Sequence, residues 1–232
     1  MLVTGFPAGM LACNCYVVAP RAGADAIVVD PGQRAFAPLR RILDENRLTP
    51  AAVLLTHGHI DHMWSAQKVA DTYGCPVYIH PEDRHMLVDP IKGFGPRLAQ
   101  VAFGAMFREP RQLVELDRDG DKVELGGITV TVDHTPGHTR GSVVFRVTRG
   151  AEGRHPGSMV EGPGEIVFSG DTLFKQSIGR TDLPGGSGRD LLGSILTKLL
   201  VLDDDTVVLP GHGPKTTIGA ERRTNPFLEG LS

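Results

Sequence analysis

The chain has 232 residues, which is enough to bury a sizeable core and fits one larger α/β domain better than two small ones. A hydrophobic fraction of 41%, a charged fraction of 22% and a net charge of -3 describe an ordinary globular protein and disfavour nucleic acid or an anionic membrane surface as partner. No run approaches the roughly 20 apolar residues of a membrane span, no apolar signal core follows a charged N-terminus, and 3 cysteines make no disulfide framework, so a soluble cytoplasmic protein is expected.

In chain order, "NCYVVAP" and "AIVVDPG" read as short strands stopped by Pro and Gly, with "PRAGAD" as their hairpin connection. Cys13 and Cys15 share one strand face as small buried thiols, and Cys75 is likewise a reduced thiol. "FAPLRRILDENRL" spaces Phe36, Leu39, Ile42 and Leu43 as a helix does. "AAVLLTH" returns to strand, "SAQKVADTYG" is a helix closed by Gly74, and "PVYIH" is a strand again. Residues 89–110 lose periodicity and read as a loop or short helical excursion over the core. "DKVELGGITVTVDHTPGH" holds two alternating strands around Gly126 and Gly127, a hairpin signal. "GSVVFRV" and "EIVFSGD" are further strands, with a flexible exposed insertion expected over about 149–164. "LLGSILTKLLVL" is an amphipathic helix, and "TVVLPGHG" is the expected last strand.

Four strands end in residues that bind metals: His57, His138, Asp171 and His212. A single histidine after a strand is usually structural, but the dense "HGHIDH" adds His59, Asp61 and His62. Neutral imidazoles and carboxylates suit borderline divalent cations such as zinc, iron and manganese, and loops at one sheet edge can bring distant donors together. Histidines two and five apart fit no single regular face, so a tight turn eased by Gly58 is expected there. These donors outnumber the four that one tetrahedral ion takes and fit two ions that share a carboxylate.

The ordered set "THGHIDH", "TPGHT", "GDTLF" and "PGHG" resembles the metallo-β-lactamase superfamily. The resemblance implies a four-layer αββα sandwich with two divalent metal ions at one edge, zinc first, with iron or manganese as alternatives. One ion would take His57, His59, His138 and Asp171, and the other Asp61, His62, Asp171 and His212. Two such ions activate water near neutral pH and polarise a carbonyl, which is hydrolytic chemistry. "NCYVV", "DPGQ", "SGDTLFKQSIGRTDLPGG" and "AERRTNPFL" are further similar to the short bacterial form of the glyoxalase II group, the hydroxyacylglutathione hydrolases. That likeness implies hydrolysis of an S-acyl thioester of a small thiol, such as S-lactoylglutathione. Asp61 would then orient the attacking water.

The C-terminal helical thiol-binding region of longer relatives has no counterpart here, so a single domain over 1–232 is expected, as a monomer or small homo-oligomer. Where those relatives place a lysine after the bridging aspartate, this chain has Arg180, either a substrate-binding residue for the thiol's carboxylate or a salt-bridge partner of Asp182. The rival readings are a persulfide dioxygenase with one iron on His57, His138 and Asp171, a lactonase or β-lactamase, and a non-catalytic metal protein. His80, His85 and His155 read as surface or cap residues. His134 either supports His138 or is structural, and Tyr16, Phe94, Phe103 and Phe107 line a cleft or belong to the core.

Overall fold

Valine and leucine at successive positions, rather than at every second one, mark strands buried on both faces, and that pattern dominates the computed structural model, which describes residues 1–90, 107–150 and 157–230. The first sheet joins β1 (Leu2–Ala8), β2 (Cys13–Ala19), β3 (Asp25–Val29), β4 (Thr49–Leu54), β5 (Val77–Ile79) and β6 (Leu113–Glu115), side by side in chain order. Its first three strands are antiparallel, and β3 to β6 run parallel. The second sheet is built from β7 (Asp121–Leu125), β8 (Ile128–His134), β9 (Val143–Arg149), β10 (Gly164–Gly170), β13 (Val207–Pro210) and β14 (Thr216–Thr217), with β13 parallel to β10. A small ribbon of β11 (Leu173–Phe174) and β12 (Ser177–Ile178) stands apart from both.

The period of two sorts each strand between two cores. In β2, Tyr16 and Val18 face the second sheet, where they meet Phe145, Ile166 and Phe168, while Cys15, Val17 and Ala19 face the helices. Helices α1 (Phe36–Asn46) and α3 (Ala66–Tyr73) cover that outer face with Leu39, Leu43, Val69 and Ala70. On the far side, Val144, Val167 and Val208 pack under α5 (Gly188–Ser194), its π-helical continuation Ile195–Leu199, and α6 (Ile218–Thr224). Each fully buried aliphatic side chain contributes about 1.5–3 kcal/mol. The layers are therefore helix, sheet, sheet, helix, the αββα sandwich expected.

Several expectations need correction. Strand β1 was not anticipated; Gly5 and Pro7 break the strand signal, and an edge position with only β2 as neighbour tolerates both. "TVVLPGHG" is not the last strand, because β14 follows it and pairs with β13. The second half of the insertion expected to be flexible is fastened: the Met159 amide donates to Val3 (2.7 Å), Val160 is buried, and Arg149 donates to the Glu161 carbonyl (2.7 Å). Residues 151–156 of that stretch, including His155, lie outside the described residues, as do Phe94 and Phe103. Among the described residues no helix is long and apolar enough to cross a membrane.

Candidate metal centre

Strands β3 and β4 are parallel, as are β10 and β13, so their carboxyl ends reach the same side of each sheet, and ligands of α/β sheets gather beyond such ends. His57 and His59 follow β4, His138 follows β8, Asp171 follows β10 and His212 follows β13. The start of β2 ties the two sheets together there: Asn14, opposite Pro7 of β1, donates its amide to Gly211 (2.7 Å) and its side chain to Pro210 (3.0 Å) and Gly213 (2.8 Å).

The "HGHIDH" turn has a simple construction. His59 is extended (φ -65, ψ 144) and precedes a single helical turn, α2 (Ile60–Met63). The His59 carbonyl accepts the amides of His62 (3.0 Å) and Met63 (3.1 Å). That break from extended to helical backbone aims His57 and His59 at one point and Asp61 and His62 at another. Gly58 is required for room, not for the unusual backbone path expected of it: a Cβ there would stand 2.8 Å from Met86 Cβ and 2.9 Å from the Asp83 carbonyl oxygen. Asp83, on α4 (Pro81–Arg84), is fully buried. Its carboxylate accepts the Gly58 amide (2.9 Å), the Gly141 amide (2.9 Å) and the Thr139 hydroxyl (2.7 Å), clamping the His57–His59 turn to the loop that carries His138.

The far nitrogen of four imidazoles is committed to the protein. His138 Nδ1 donates to the Arg180 carbonyl (2.8 Å), His212 Nδ1 to the Leu11 carbonyl (3.0 Å) and His62 Nδ1 to Asp30 (2.9 Å). Thr56 Oγ1 donates to Asp30 (2.7 Å) and so is free to accept from His57 Nδ1 at 3.1 Å. In the neutral rings all four Nε2 atoms then carry lone pairs, and these lone pairs converge. His57 Nε2 and His138 Nε2 stand 3.1 and 2.9 Å from His59 Nδ1, and His62 Nε2 faces His212 Nε2 at 3.2 Å. Asp171 lies between the groups, with Oδ1 3.3 Å from His62 Nε2 and Oδ2 3.6 Å from both His138 Nε2 and His212 Nε2. Its buried Oδ1 accepts no hydrogen bond. Acceptors packed this closely need protons or cations between them, and a divalent metal meets that need for both groups at once.

The electrostatics divide the cluster. Burial, reinforced by the neighbouring imidazoles, holds His57 well below the ordinary histidine value and takes His59 down to about 3, so both imidazoles are neutral near neutral pH. Burial opposes charge on His62 too, but Cys13, Asp171 and Asp30 reverse the balance and raise it. His212 is raised in the same way, burial being outweighed by Asp61 and Asp171. Burial would raise both acids, yet the facing histidines hold Asp171 and Asp61 low, as carboxylates.

All seven anticipated donors thus meet at one edge. Arg180 is placed differently from a substrate contact: its exposed guanidinium is held by Asp182 through two 2.8 Å hydrogen bonds, and only its carbonyl reaches the cluster. Tyr16 is a core residue, its hydroxyl donating to the Pro210 carbonyl (2.7 Å). Phe107 packs edge-on against Trp64. His134 stacks flat on His80 at 4.1 Å and bonds the Arg140 carbonyl (2.8 Å), while His80 caps α4, so both are structural.

Two residues at the site, Asp30 and Asp83, were not singled out, and a third, Cys13, was read only as a buried thiol. Asp30 ends the run "AIVVD" just as Asp171 ends its own strand, and the same rule would have found it. Asp83 has no such signal in "HPEDRH". Cys13 is fully buried, and its sulfur lies within 4.8 Å of donor atoms of His62 and His212; burial pushes this thiol up to about 11.

Comparison with known proteins agrees with this geometry. The hydroxyacylglutathione hydrolase GloC of Haemophilus influenzae is 34% identical over 90% of this chain and 89% of its own length. The crystal structure of the B3 metallo-beta-lactamase BLEG-1 superposes with a TM-score of 0.79 at 39% identity, covering 99% of this chain and 100% of that one. TTHA1623, crystallised in a di-iron-bound form, superposes with a TM-score of 0.72 at 36% identity, covering 96% and 98%. The sequence matches the Metallo-beta-lactamase superfamily over residues 8–151 and 149–212. With the sandwich, the strand-end donors and these likenesses together, the chain belongs to the metallo-beta-lactamase superfamily and is a metallo-hydrolase.

Proposed function

We propose that this chain hydrolyses S-acyl thioesters of a small thiol, as the glyoxalase II group does, S-lactoylglutathione being the first substrate to test. The observation that carries the reading is the pair of converging donor groups joined by Asp171. His57, His59 and His138 would hold one divalent ion, Asp61, His62 and His212 a second, and Asp171 both. Bound there, such ions bring a water's pKa into the neutral range and polarise an acyl carbonyl. Asp61, held as a carboxylate with Oδ2 3.2 Å from His212 Nε2, is placed to accept a hydrogen bond from the attacking water and orient it. A thiolate leaves with a pKa of about 8.5, so no general acid is needed at the leaving sulfur. The likeness to GloC supports the thioester over other carbonyl substrates.

A second reading has its own support: the likeness to BLEG-1 favours attack on the strained amide of a β-lactam by the same residues. A one-iron persulfide dioxygenase would use His57, His138 and Asp171 and leave Asp61, His62 and His212 without a role. The test is hydrolysis of S-lactoylglutathione, other acyl thioesters and a β-lactam panel by one metal-analysed preparation. Thioester cleavage with two metals per chain is expected. Cleavage of β-lactams alone, or one iron with sulfite formed from a persulfide, would replace the proposal.

A further inference from the structure

Cys13 begins strand β2, which packs against α2, and its Cβ lies beside Gly32. Its side chain is completely buried, and its sulfur, a ring nitrogen of His62 and a ring nitrogen of His212 all lie within 4.8 Å of one another. A backbone bridge between Cys13 and His212 pins the strand start to the His212 loop. Cys15 sits in the apolar layer under α1 and α3, whereas Cys13 is not part of that layer and its thiol meets the His62 ring within hydrogen-bond reach. With donor bonds of about 2.0–2.3 Å, two ligands of one zinc ion stand roughly 3.3–3.8 Å apart, so closure on a shared ion takes a shift of about an ångström.

We infer that Cys13 is a sulfur ligand of the metal held by His62 and His212, making the second position a mixed nitrogen, oxygen and sulfur site. Binding forms a metal–sulfur bond and breaks the Sγ–H bond, the proton passing to solvent; no electron is transferred. A thiolate favours zinc or iron over manganese, and does so more strongly than the imidazoles of His57, His59 and His138. Cys13 thereby makes the two positions chemically unequal. The inference rests on the two-metal reading only in naming which ion the sulfur meets.

Cobalt(II) titration of the metal-free full-length protein tests it, read by absorbance. A thiolate-to-cobalt charge-transfer band in the near ultraviolet is expected to grow with the second equivalent, to vanish in Cys13→Ser, and to persist in Cys15→Ala. Absence of the band from the wild-type protein at saturating cobalt, or its survival in Cys13→Ser, overturns the assignment. The wild-type spectrum decides alone if Cys13→Ser does not fold. Cobalt stoichiometry is read separately: two equivalents without the band remove Cys13 and leave the two-metal reading intact, while saturation at one equivalent removes the two-metal reading and the band still decides whether sulfur binds.

Discussion

The two halves of the donor cluster are built to different specifications. The His57, His59 and His138 half is sealed, with none of the three more than 3% exposed, and burial holds His57 and His59 neutral. The half with Asp61, His62 and His212 opens outward, His212 being 27% exposed, and its histidines are drawn toward the charged state by carboxylates. The supports differ in kind as well. Asp83 clamps the sealed half through backbone amides, whereas the open half leans on the Leu11 carbonyl, at a hairpin tip where Met10 and Leu11 are exposed. On the two-metal proposal, a sealed half beside an open one predicts ordered filling, the sealed half first.

The largest effect that sharpens this comparison comes from His59→Ala. It should remove the metal of the sealed half and lower thioester turnover by more than the roughly 10–100-fold typical of residues that only support a ligand. Metal analysis alongside rates checks it; unchanged metal and rate would show that His59 is not a ligand. Asp30→Asn ranks next and should break the division. Asp30 holds His62 directly (2.9 Å) and holds Thr56, which in turn meets His57, so both metals should weaken by about tenfold or more. Asp83→Asn restores the division. It keeps the shape but loses one accepting oxygen, so it should cost about 1–3 kcal/mol in thermal unfolding and weaken only the sealed-half metal. Equal loss at both positions would show that Asp83 acts on the fold as a whole.

Most of this was readable in the sequence because the donors obey one rule: an apolar strand ends and a ligand follows. His57, His138, Asp171 and His212 all comply. The layered fold was legible for a related reason, since strands such as "AIVV" are hydrophobic at every position and need two buried faces. Asp83 was out of reach because its function is to accept amides from Gly58 and Gly141, positions 25 and 58 residues away, and no local pattern encodes such a contact. Cys13 was hidden by a sound argument that happens not to discriminate: Cys13 and Cys15 do share a strand face, but the helix layer ends between them, so one faces the core and the other the cluster. Strand β1 shows propensity yielding to tertiary pairing with β2.

Protons offer a gentler test of the same contrast. His57 and His59 lie below their unfolded value of about 6.5, so the unfolded chain binds more protons in acid, and their effect on the metal-free protein is a loss of stability as pH falls below that value. His62 and His212 lie above it; their stabilisation is complete below the unfolded value and is lost as pH rises through the folded ones. Metal entering the sealed half at neutral pH should therefore release no protons from His57 or His59, whereas metal entering the open half should release up to about two from His62 and His212 and a third from Cys13 where its thiol binds, the two histidines alone raising the affinity by as much as about 100-fold per pH unit. Calorimetric titrations in buffers of different ionisation enthalpy measure this release. Equal release at both steps would erase the electrostatic distinction.

The smallest effect is expected at Arg180, where two roles meet in one residue. Its carbonyl accepts from His138 Nδ1 (2.8 Å) and so belongs to the sealed half, but any side chain leaves that carbonyl in place. Its guanidinium is exposed and already engaged twice by Asp182, and an exposed pair of this kind is strongly screened by water and salt. Arg180→Ala should therefore keep both metals and the melting temperature, and change the KM of an anionic thioester by less than about twofold. An increase of tenfold or more for S-lactoylglutathione, with no change for an uncharged acyl thioester, would mean that the fork leaves Asp182 to meet the thiol's carboxylate. Comparing Asp182→Ala separates the cases further: freeing the guanidinium should lower the KM of the anionic substrate only if Arg180 reaches it.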